Sequence, residues 1–158
     1  MNAVILCVGK LKEKWQTQGC EEYLKRLSRY GKYEVIAVDD VKEPDKPSEQ
    51  LNKLAIEKEG KALLSRIKQN DRLICLCIKA QAPDSVKLSK MMENWSMDGR
   101  RNVFVIGGSL GLSEDVLKRA DEKISFSNMT FPHGLMRVFL LEQLYRGERI
   151  RTGERYHK

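Results

Sequence analysis

The chain has 158 residues, of which 41% are hydrophobic and 32% are charged, and no apolar run approaches the length of a membrane-spanning helix. These numbers exclude an integral helical membrane protein and predict one globular domain, over residues 1–158, with an ordinary hydrophobic core. The net charge of +7 favours a polyanionic partner, and it also suits a protein that uses charge only for solubility.

Five short apolar runs alternate along the chain with amphipathic segments. The runs are typical of buried strands, and in chain order they cover residues 3–8, 33–38, 72–78, 103–106 and 123–126. Apolar side chains at helical spacing predict helices over residues 15–30, 48–68, 86–95 and 113–120, and a last helix that ends near Arg146. Ser48 is expected to cap the second helix, Gly60 is expected to weaken it, and residues 39–47 form a turn-rich connector.

Strands that are apolar throughout and are separated by helices predict an α/β fold, with a parallel sheet and helices on both of its faces. The last helix carries apolar residues all around its axis between Leu135 and Tyr145. One side of this helix can fill the core. The remainder needs a second covering surface, which is either a symmetric copy of the chain or another part of the same subunit.

The four cysteines are expected to be free. Cys7, Cys75 and Cys77 lie in apolar, strand-like runs, where cysteine acts as a small core residue. Because no secretory signal is visible, we expect free thiols in a cytoplasmic protein. Cys75 and Cys77 alternate along one strand, C-x-x-C does not occur, and the chain has only two histidines, so we expect no metal.

Three loops are candidates for ligand binding, because ligands of an open parallel sheet bind where loops leave the carboxyl ends of strands. They cover residues 79–83, 107–112 and 127–133. The middle loop has three glycines within five positions, which lets the backbone turn sharply or approach a ligand closely. The last loop combines small hydrogen-bonding side chains with apolar neighbours and suits a flat heterocycle such as adenine. The alternative is that Ser127 and Thr130 only cap the next helix.

The motifs of other enzyme classes are absent or are matched only in part. The chain lacks G-x-x-x-x-G-K and G-x-G-x-x-G, which disfavours a P-loop kinase or a dinucleotide enzyme. Residues 107–111 fit G-x-S-x-G, the nucleophile elbow of serine hydrolases, with Ser109 as the nucleophile and Asp121 and His133 following in the right order. Against a hydrolase, the helix of an elbow begins at the serine, whereas here Ser113 is expected to begin it.

The C-terminal tail is basic and aromatic. Arg155 and Lys158 can hold a phosphate backbone, and Tyr156 can stack on a base. A non-catalytic RNA-binding or ribosome-binding module is therefore an alternative function class. The simplest alternative is a tail without function.

Motifs along the whole length resemble the RlmH family of SPOUT-class methyltransferases, which modify large-subunit ribosomal RNA. In chain order these motifs are the start Ile-Leu-Cys-Val-Gly-Lys at residues 5–10 and the segments 23–27, 104–108, 126–133, 136–138, 142–146 and 156–158. Together the motifs are highly specific, although no single one is. The chain departs from the family pattern at Cys77, Ala80, Gln81 and Leu110.

The resemblance implies a deep trefoil knot near the C-terminus, a homodimer, and S-adenosylmethionine as the methyl donor, with no metal. It also implies methylation of N3 of a pseudouridine, at position 1915 of 23S ribosomal RNA, and leaves open whether the substrate is free RNA, a large subunit or an assembled ribosome. By position, the implied donor contacts lie at three strand ends and are Leu76, Gly107, Phe126, Ser127, Asn128, Met129, Thr130 and Phe131.

Our hypothesis for the chemistry concerns the tail. The N3 hydrogen of pseudouridine is lost around methyl transfer, and a neutral imidazole is a suitable proton acceptor near neutral pH. We expect His157, with Tyr156 beside it, to form the catalytic part of the site, and we expect Arg155 and Lys158 to bind the RNA.

Overall fold

A computed structural model of the chain describes residues 1–42, 46 and 48–156. In this part of the chain five strands alternate with five helices. In chain order the elements are β1 (Asn2–Val8), α1 (Lys14–Leu27), β2 (Lys32–Val38), α2 (Glu49–Leu64), β3 (Arg72–Gln81), α3 (Ser85–Met97), β4 (Asn102–Ile106), α4 (Glu114–Arg119), β5 (Glu122–Ile124) and α5 (His133–Arg151). Within the same residues, no helix is both long and apolar enough to cross a membrane.

The strands form one parallel sheet in the order β2-β1-β4-β3-β5. β1 lies between β2 and β4, so that Ile5 is paired with Val35 on one side and with Phe104 on the other. Because every strand runs in the same direction, the loops that follow the strands all leave from one edge of the sheet. We call this edge the carboxyl edge and the opposite edge the amino edge.

Different helices cover the two faces of the sheet. Successive side chains of a strand point to opposite faces, and β1 supplies both cores. Ile5 belongs to a buried cluster with Leu27 of α1 and with residues of α3 and α5. Leu6 belongs to a second cluster with Leu63 of α2 and Val116 of α4. Burial on both faces explains why the strands are apolar throughout rather than at every second residue.

The predicted α/β pattern is confirmed, and several boundaries differ. β3 continues to Gln81, three residues beyond the prediction, because a bulge lets both Leu76 and Gln81 pair with Ile124 of β5. α5 ends at Arg151, five residues later than predicted, and α2 ends at Leu64, four residues earlier. Of the predicted connector at 39–47, residues 43–45 and 47 lie outside the described residues.

Gly60 lies inside α2 without interrupting it, and the expected weakening of the helix at this residue stays a prediction. Ser48 caps α2 as predicted, since its side chain accepts a hydrogen bond from Leu51 N (3.2 Å). The helix then continues without interruption through Gly60. A Cβ atom at this position would lie 2.1 Å from Ser113 Oγ, so the glycine allows α2 to pack directly on the start of α4. Tertiary packing outweighs the helix propensity of this residue.

A buried arginine attaches α5 to the carboxyl edge of the sheet. Arg137 is 1% exposed, and its Nη2 donates to the backbone oxygens of Val8 (2.6 Å) and Gly9 (2.8 Å). Its Nε has no hydrogen-bond partner among the described residues. A buried guanidinium is costly unless hydrogen bonds satisfy its protons. The two bonds therefore fix the first half of α5 against the end of β1.

Replacing Arg137 by Met removes both donors and keeps a long, unbranched side chain. We expect the free energy of unfolding to fall by about 2 kcal/mol, because two buried carbonyl groups lose their partner. Urea unfolding measures this change. The control is Arg66→Met, at an exposed position, which we expect to change stability by less than about 0.5 kcal/mol. An Arg137→Met protein as stable as the wild type would mean that the two bonds make no net contribution.

Candidate active site

The ends of three neighbouring strands build a cleft at the carboxyl edge, with a volume of about 1130 Å³. β4, β3 and β5 are adjacent in the sheet, so the segments that follow them meet. The lining residues are Leu76, Cys77, Ile78, Lys79, Ile106, Gly107, Gly108, Ser109, Leu110, Gly111, Leu112, Leu117, Ser125, Phe126, Ser127, Met129, Thr130, Phe131, Pro132, His133 and Met136. Of these described residues, only Lys79 and His133 carry side chains that can be cationic.

The segment after β4 is a tight backbone turn. Gly111 N donates to Gly108 O (3.1 Å), and Gly111 has a φ of +92°. A Cβ atom on Gly107 would lie 2.6 Å from Gly111 O, so a larger residue does not fit at 107 unless the turn moves. Glycine is therefore required for space at 107 and for backbone conformation at 111. The turn brings main-chain N–H and C=O groups to the cleft.

The segment after β5 is held by its own serine side chains. Ser125 Oγ donates to Ser127 O (2.9 Å), and Ser127 Oγ accepts from Met129 N (3.0 Å). The ring of Phe131 packs edge-on against the ring of Phe139 on α5, with centroids 5.6 Å apart. These contacts give the segment a defined shape.

All but one of the donor contacts predicted from the sequence lie in the cleft. Leu76, Gly107, Phe126, Ser127, Met129, Thr130 and Phe131 all line the cleft, and Asn128 does not. Sequence reasoning missed Leu117 of α4 and Met136 of α5, which also line it. An apolar residue on a helix looks the same in a sequence whether it faces the core or a cleft, so no signal was available for these two.

Tyr156 lies outside the cleft of its own chain. Its hydroxyl donates to Glu142 Oε1 (3.2 Å), and its ring packs against the ring of Tyr145, with centroids 5.0 Å apart. Burial, together with hydrogen bonding to Tyr23, raises the pKa of Tyr156 to about 12, so the phenol keeps its proton at neutral pH. Arg155 is exposed. His157 and Lys158 lie outside the described residues.

The serine hydrolase alternative is wrong on geometry. α4 begins at Glu114, five residues after Ser109, so the serine does not stand at the start of a helix as an elbow requires. Asp121 immediately precedes β5 and accepts a hydrogen bond from Leu73 N (2.8 Å) near the start of β3, which places it at the amino edge. Ser109 and His133 line the cleft at the carboxyl edge. The three residues cannot form a triad.

The cleft has the chemistry of a small-molecule site rather than of a metal site or a phosphate cradle. Its walls are mostly apolar side chains and backbone groups. Within the described residues, no group of three or more His, Cys, Asp and Glu side chains is placed to hold a metal ion. An open parallel sheet with such a cleft at three adjoining strand ends is the usual arrangement of α/β proteins that bind a ligand at the carboxyl edge.

The chain belongs to the SPOUT methyltransferase family. The family model described as "Predicted SPOUT methyltransferase" matches residues 1–157. Ribosomal RNA large subunit methyltransferase H 1 of Clostridium perfringens (strain SM101 / Type A) is 54% identical over 159 residues, which cover 100% of each chain. Ribosomal RNA large subunit methyltransferase H of Clostridium kluyveri (strain NBRC 12016) is 49% identical over 159 residues, again with 100% of each chain covered. The family resemblance seen in the sequence motifs is confirmed.

A solved structure supports the fold independently of close sequence similarity. A probable methylase family protein from Haemophilus influenzae Rd KW20 superposes with a TM-score of 0.55 at 11% identity, over 99% of this chain and 70% of that chain. The predicted SPOUT-type α/β fold is confirmed. The trefoil knot that the resemblance implies stays a prediction.

Cys77 offers a chemical test of the cleft, because Cys77 lines the cleft and S-adenosylmethionine is the methyl donor that the family resemblance implies. Burial raises the pKa of Cys7 and of Cys75 to about 12, which lowers their thiolate fraction about 1000-fold near pH 8. Burial also raises the pKa of Cys77, which is only half-buried. We expect iodoacetamide at pH 8 to alkylate Cys77 before these two thiols.

S-adenosylmethionine is expected to slow the alkylation of Cys77, and peptide mass mapping measures the rate at each thiol. Cys20 is the control, since it lies on the buried side of α1 and outside the cleft. Equal protection of Cys20 and Cys77 would indicate general stabilisation of the fold. No protection of Cys77 would count against this cleft as the donor site.

Proposed function

We propose that the chain uses S-adenosylmethionine to methylate N3 of a pseudouridine in 23S ribosomal RNA. The observation that carries this proposal is the cleft at three neighbouring strand ends, in a chain whose full-length relatives are named ribosomal RNA large subunit methyltransferases. An RNA substrate agrees with the net charge of +7. Such a substrate also implies that the protein acts in the cytoplasm.

The lining of the cleft fits the proposed donor. Leu76, Phe126 and Phe131 offer apolar and aromatic surface for an adenine ring, and the turn at Gly107 offers backbone polar groups for hydrogen bonds. A single drug-sized ligand needs roughly 300–1000 Å³, so a cleft of about 1130 Å³ has room for part of an acceptor nucleotide beside the donor. We leave Asn128 out of the proposed contacts because it does not line the cleft.

When bound, S-adenosylmethionine supplies a methyl group that is already activated on a sulfonium. The residues of the chain then have to align the acceptor nitrogen, exclude water and remove the N3 proton. We assign the proton to His157, because a neutral imidazole is basic enough at neutral pH. Tyr156 is not proposed as the base, since its raised pKa keeps the hydroxyl protonated. Its proposed part is to hold the tail in place, through the contact of its ring with Tyr145 and the hydrogen bond of its hydroxyl group to Glu142.

We propose that the active unit is a homodimer. Phe139 of α5 is 37% exposed and Met129 in the cleft segment is 68% exposed. Because Phe139 packs against Phe131, this apolar surface is continuous with the wall of the cleft. A second copy of the chain that covered this surface would bring a basic tail, with Arg155 and Lys158, close to the RNA substrate.

The proposed function predicts that purified protein transfers labelled methyl from S-adenosylmethionine to 23S RNA. Free 23S RNA, large subunits and assembled ribosomes from cells that lack the enzyme are the three substrates to compare. Digestion to nucleosides and mass spectrometry should then identify N3-methylpseudouridine. Gly107→Ala is expected to lose most of this transfer, because its Cβ atom displaces the turn at Gly111 O.

Glu57→Ala, at an exposed position of α2 outside the cleft, is the control for this assay, and we expect it to retain transfer. Absence of label in all three substrates would overturn the proposed function. Label in a different nucleoside would retain the methyltransferase and overturn only the proposed target.

His157→Ala tests the assignment of the proton acceptor. We expect the single-turnover rate of methyl transfer to fall about 100-fold, the lower range for loss of a general base, with donor affinity unchanged. Lys158→Ala is the matched control in the tail and is expected to weaken RNA binding without changing the single-turnover rate at saturating RNA. A transfer rate in His157→Ala equal to that of the wild type would remove His157 from the chemistry.

A further inference from the structure

Glu59 of α2 lies against the glycine turn of the cleft without lining the cleft itself. It is 7% exposed, although it is a carboxylate in a helix whose outer side is exposed. Burial of a carboxylate is costly unless hydrogen bonds and close polar contacts compensate it. The contacts of Glu59 should therefore explain why this carboxylate is buried.

The two carboxylate oxygens of Glu59 face two different segments at the carboxyl edge. Oε1 accepts a hydrogen bond from the backbone N–H of Val41, just after β2 (3.0 Å). Oε2 lies close to Gly108, since a Cβ atom built on Gly108 would be 2.8 Å from it. One side chain therefore spans the segment after β2 and the turn after β4.

The next residue of α2 contacts the other end of the same turn. Gly60 packs on Ser113, whose Oγ would be 2.1 Å from a Cβ atom at position 60. Ser113 follows the turn directly and caps α4 by accepting from Val116 N (3.4 Å). Glu59 and Gly60 together therefore support both ends of the segment 107–113.

We propose that Glu59 is a positioning residue for the methyl donor, which acts by holding the turn at 107–111 in its donor-binding shape. The turn offers backbone groups, and their directions are fixed only as well as the main chain is fixed. Glu59 supplies this restraint from α2, an element that does not line the cleft. The identity of the ligand in this inference rests on the proposed function, whereas the restraint on the turn does not.

Glu59→Ala and Glu59→Gln test the proposal. Glu59→Ala is expected to weaken donor binding about tenfold, because the turn loses its contact at Gly108 and Val41 N loses its acceptor, and Glu59→Gln, which keeps one acceptor oxygen, is expected to weaken it less. Titration calorimetry with S-adenosylmethionine measures the affinity. Hydrogen exchange of the ligand-free protein is expected to be faster at the amides of 107–112 in Glu59→Ala.

Two control variants separate positioning from loss of stability. Glu57→Ala removes an exposed carboxylate from the same helix and should change neither measurement. Leu63→Val lowers stability through the core of α2 and should leave the donor affinity and the exchange at 107–112 unchanged once global unfolding is accounted for. Steady-state kinetics should show a raised KM for the donor in Glu59→Gln, with the KM for RNA unchanged.

Unchanged exchange at 107–112 in Glu59→Ala would overturn the proposal, whatever the donor affinity does. Faster exchange together with unchanged donor affinity would overturn the part of it that concerns the donor. If the wild-type protein bound no S-adenosylmethionine, the proposed function would fail, and the exchange measurement would still decide whether Glu59 restrains the turn.

Discussion

The fold and the site both depend on the common direction of the five strands. Parallel strands send every following segment to one edge, and the adjacency of β4, β3 and β5 brings three of these segments together as a cleft. Apolar surface at the carboxyl edge also has to be covered, and α5 covers part of it. Arg137 holds α5 in this place. Its guanidinium donates to the carbonyl oxygens of Val8 and Gly9 and so sets where α5, with Met136, meets the cleft.

Ion pairs between arginines and aspartates stabilise the amino edge. Burial alone would raise the pKa of Asp71, but hydrogen bonds from Arg101 and from the backbone of Lys68 hold it below its ordinary value. Arg119 and Arg100 pair in a similar way with Asp121. These three arginines are therefore engaged in ion pairs at the amino edge, and net charge alone is a poor guide to where RNA binds.

Hydrophobic patterning was sufficient to predict every strand and helix in order, because burial on both faces of a sheet leaves a signal that is local in sequence. Contacts between distant residues leave no such signal. Gly60 reads as a weak point of a helix until Ser113 is placed against it, and Asp121 reads as a triad member until it is placed at the amino edge. From the sequence alone, Glu59 looks like an ordinary surface carboxylate. The family motifs supplied the site residues that patterning does not reach.

One departure from the family pattern falls at a position whose sheet contacts are made by the backbone. Gln81, one of the departures from the family pattern, pairs with Ile124 through its backbone, and its carbonyl accepts from Ser125 N (2.9 Å). These bonds do not depend on the side chain at position 81. Particular residues are required instead where they shape the backbone. Gly107 lies close to Gly111 O, and Glu59 lies close to Gly108. The close contacts at Gly107 and Gly108 leave little room for a larger side chain at either position.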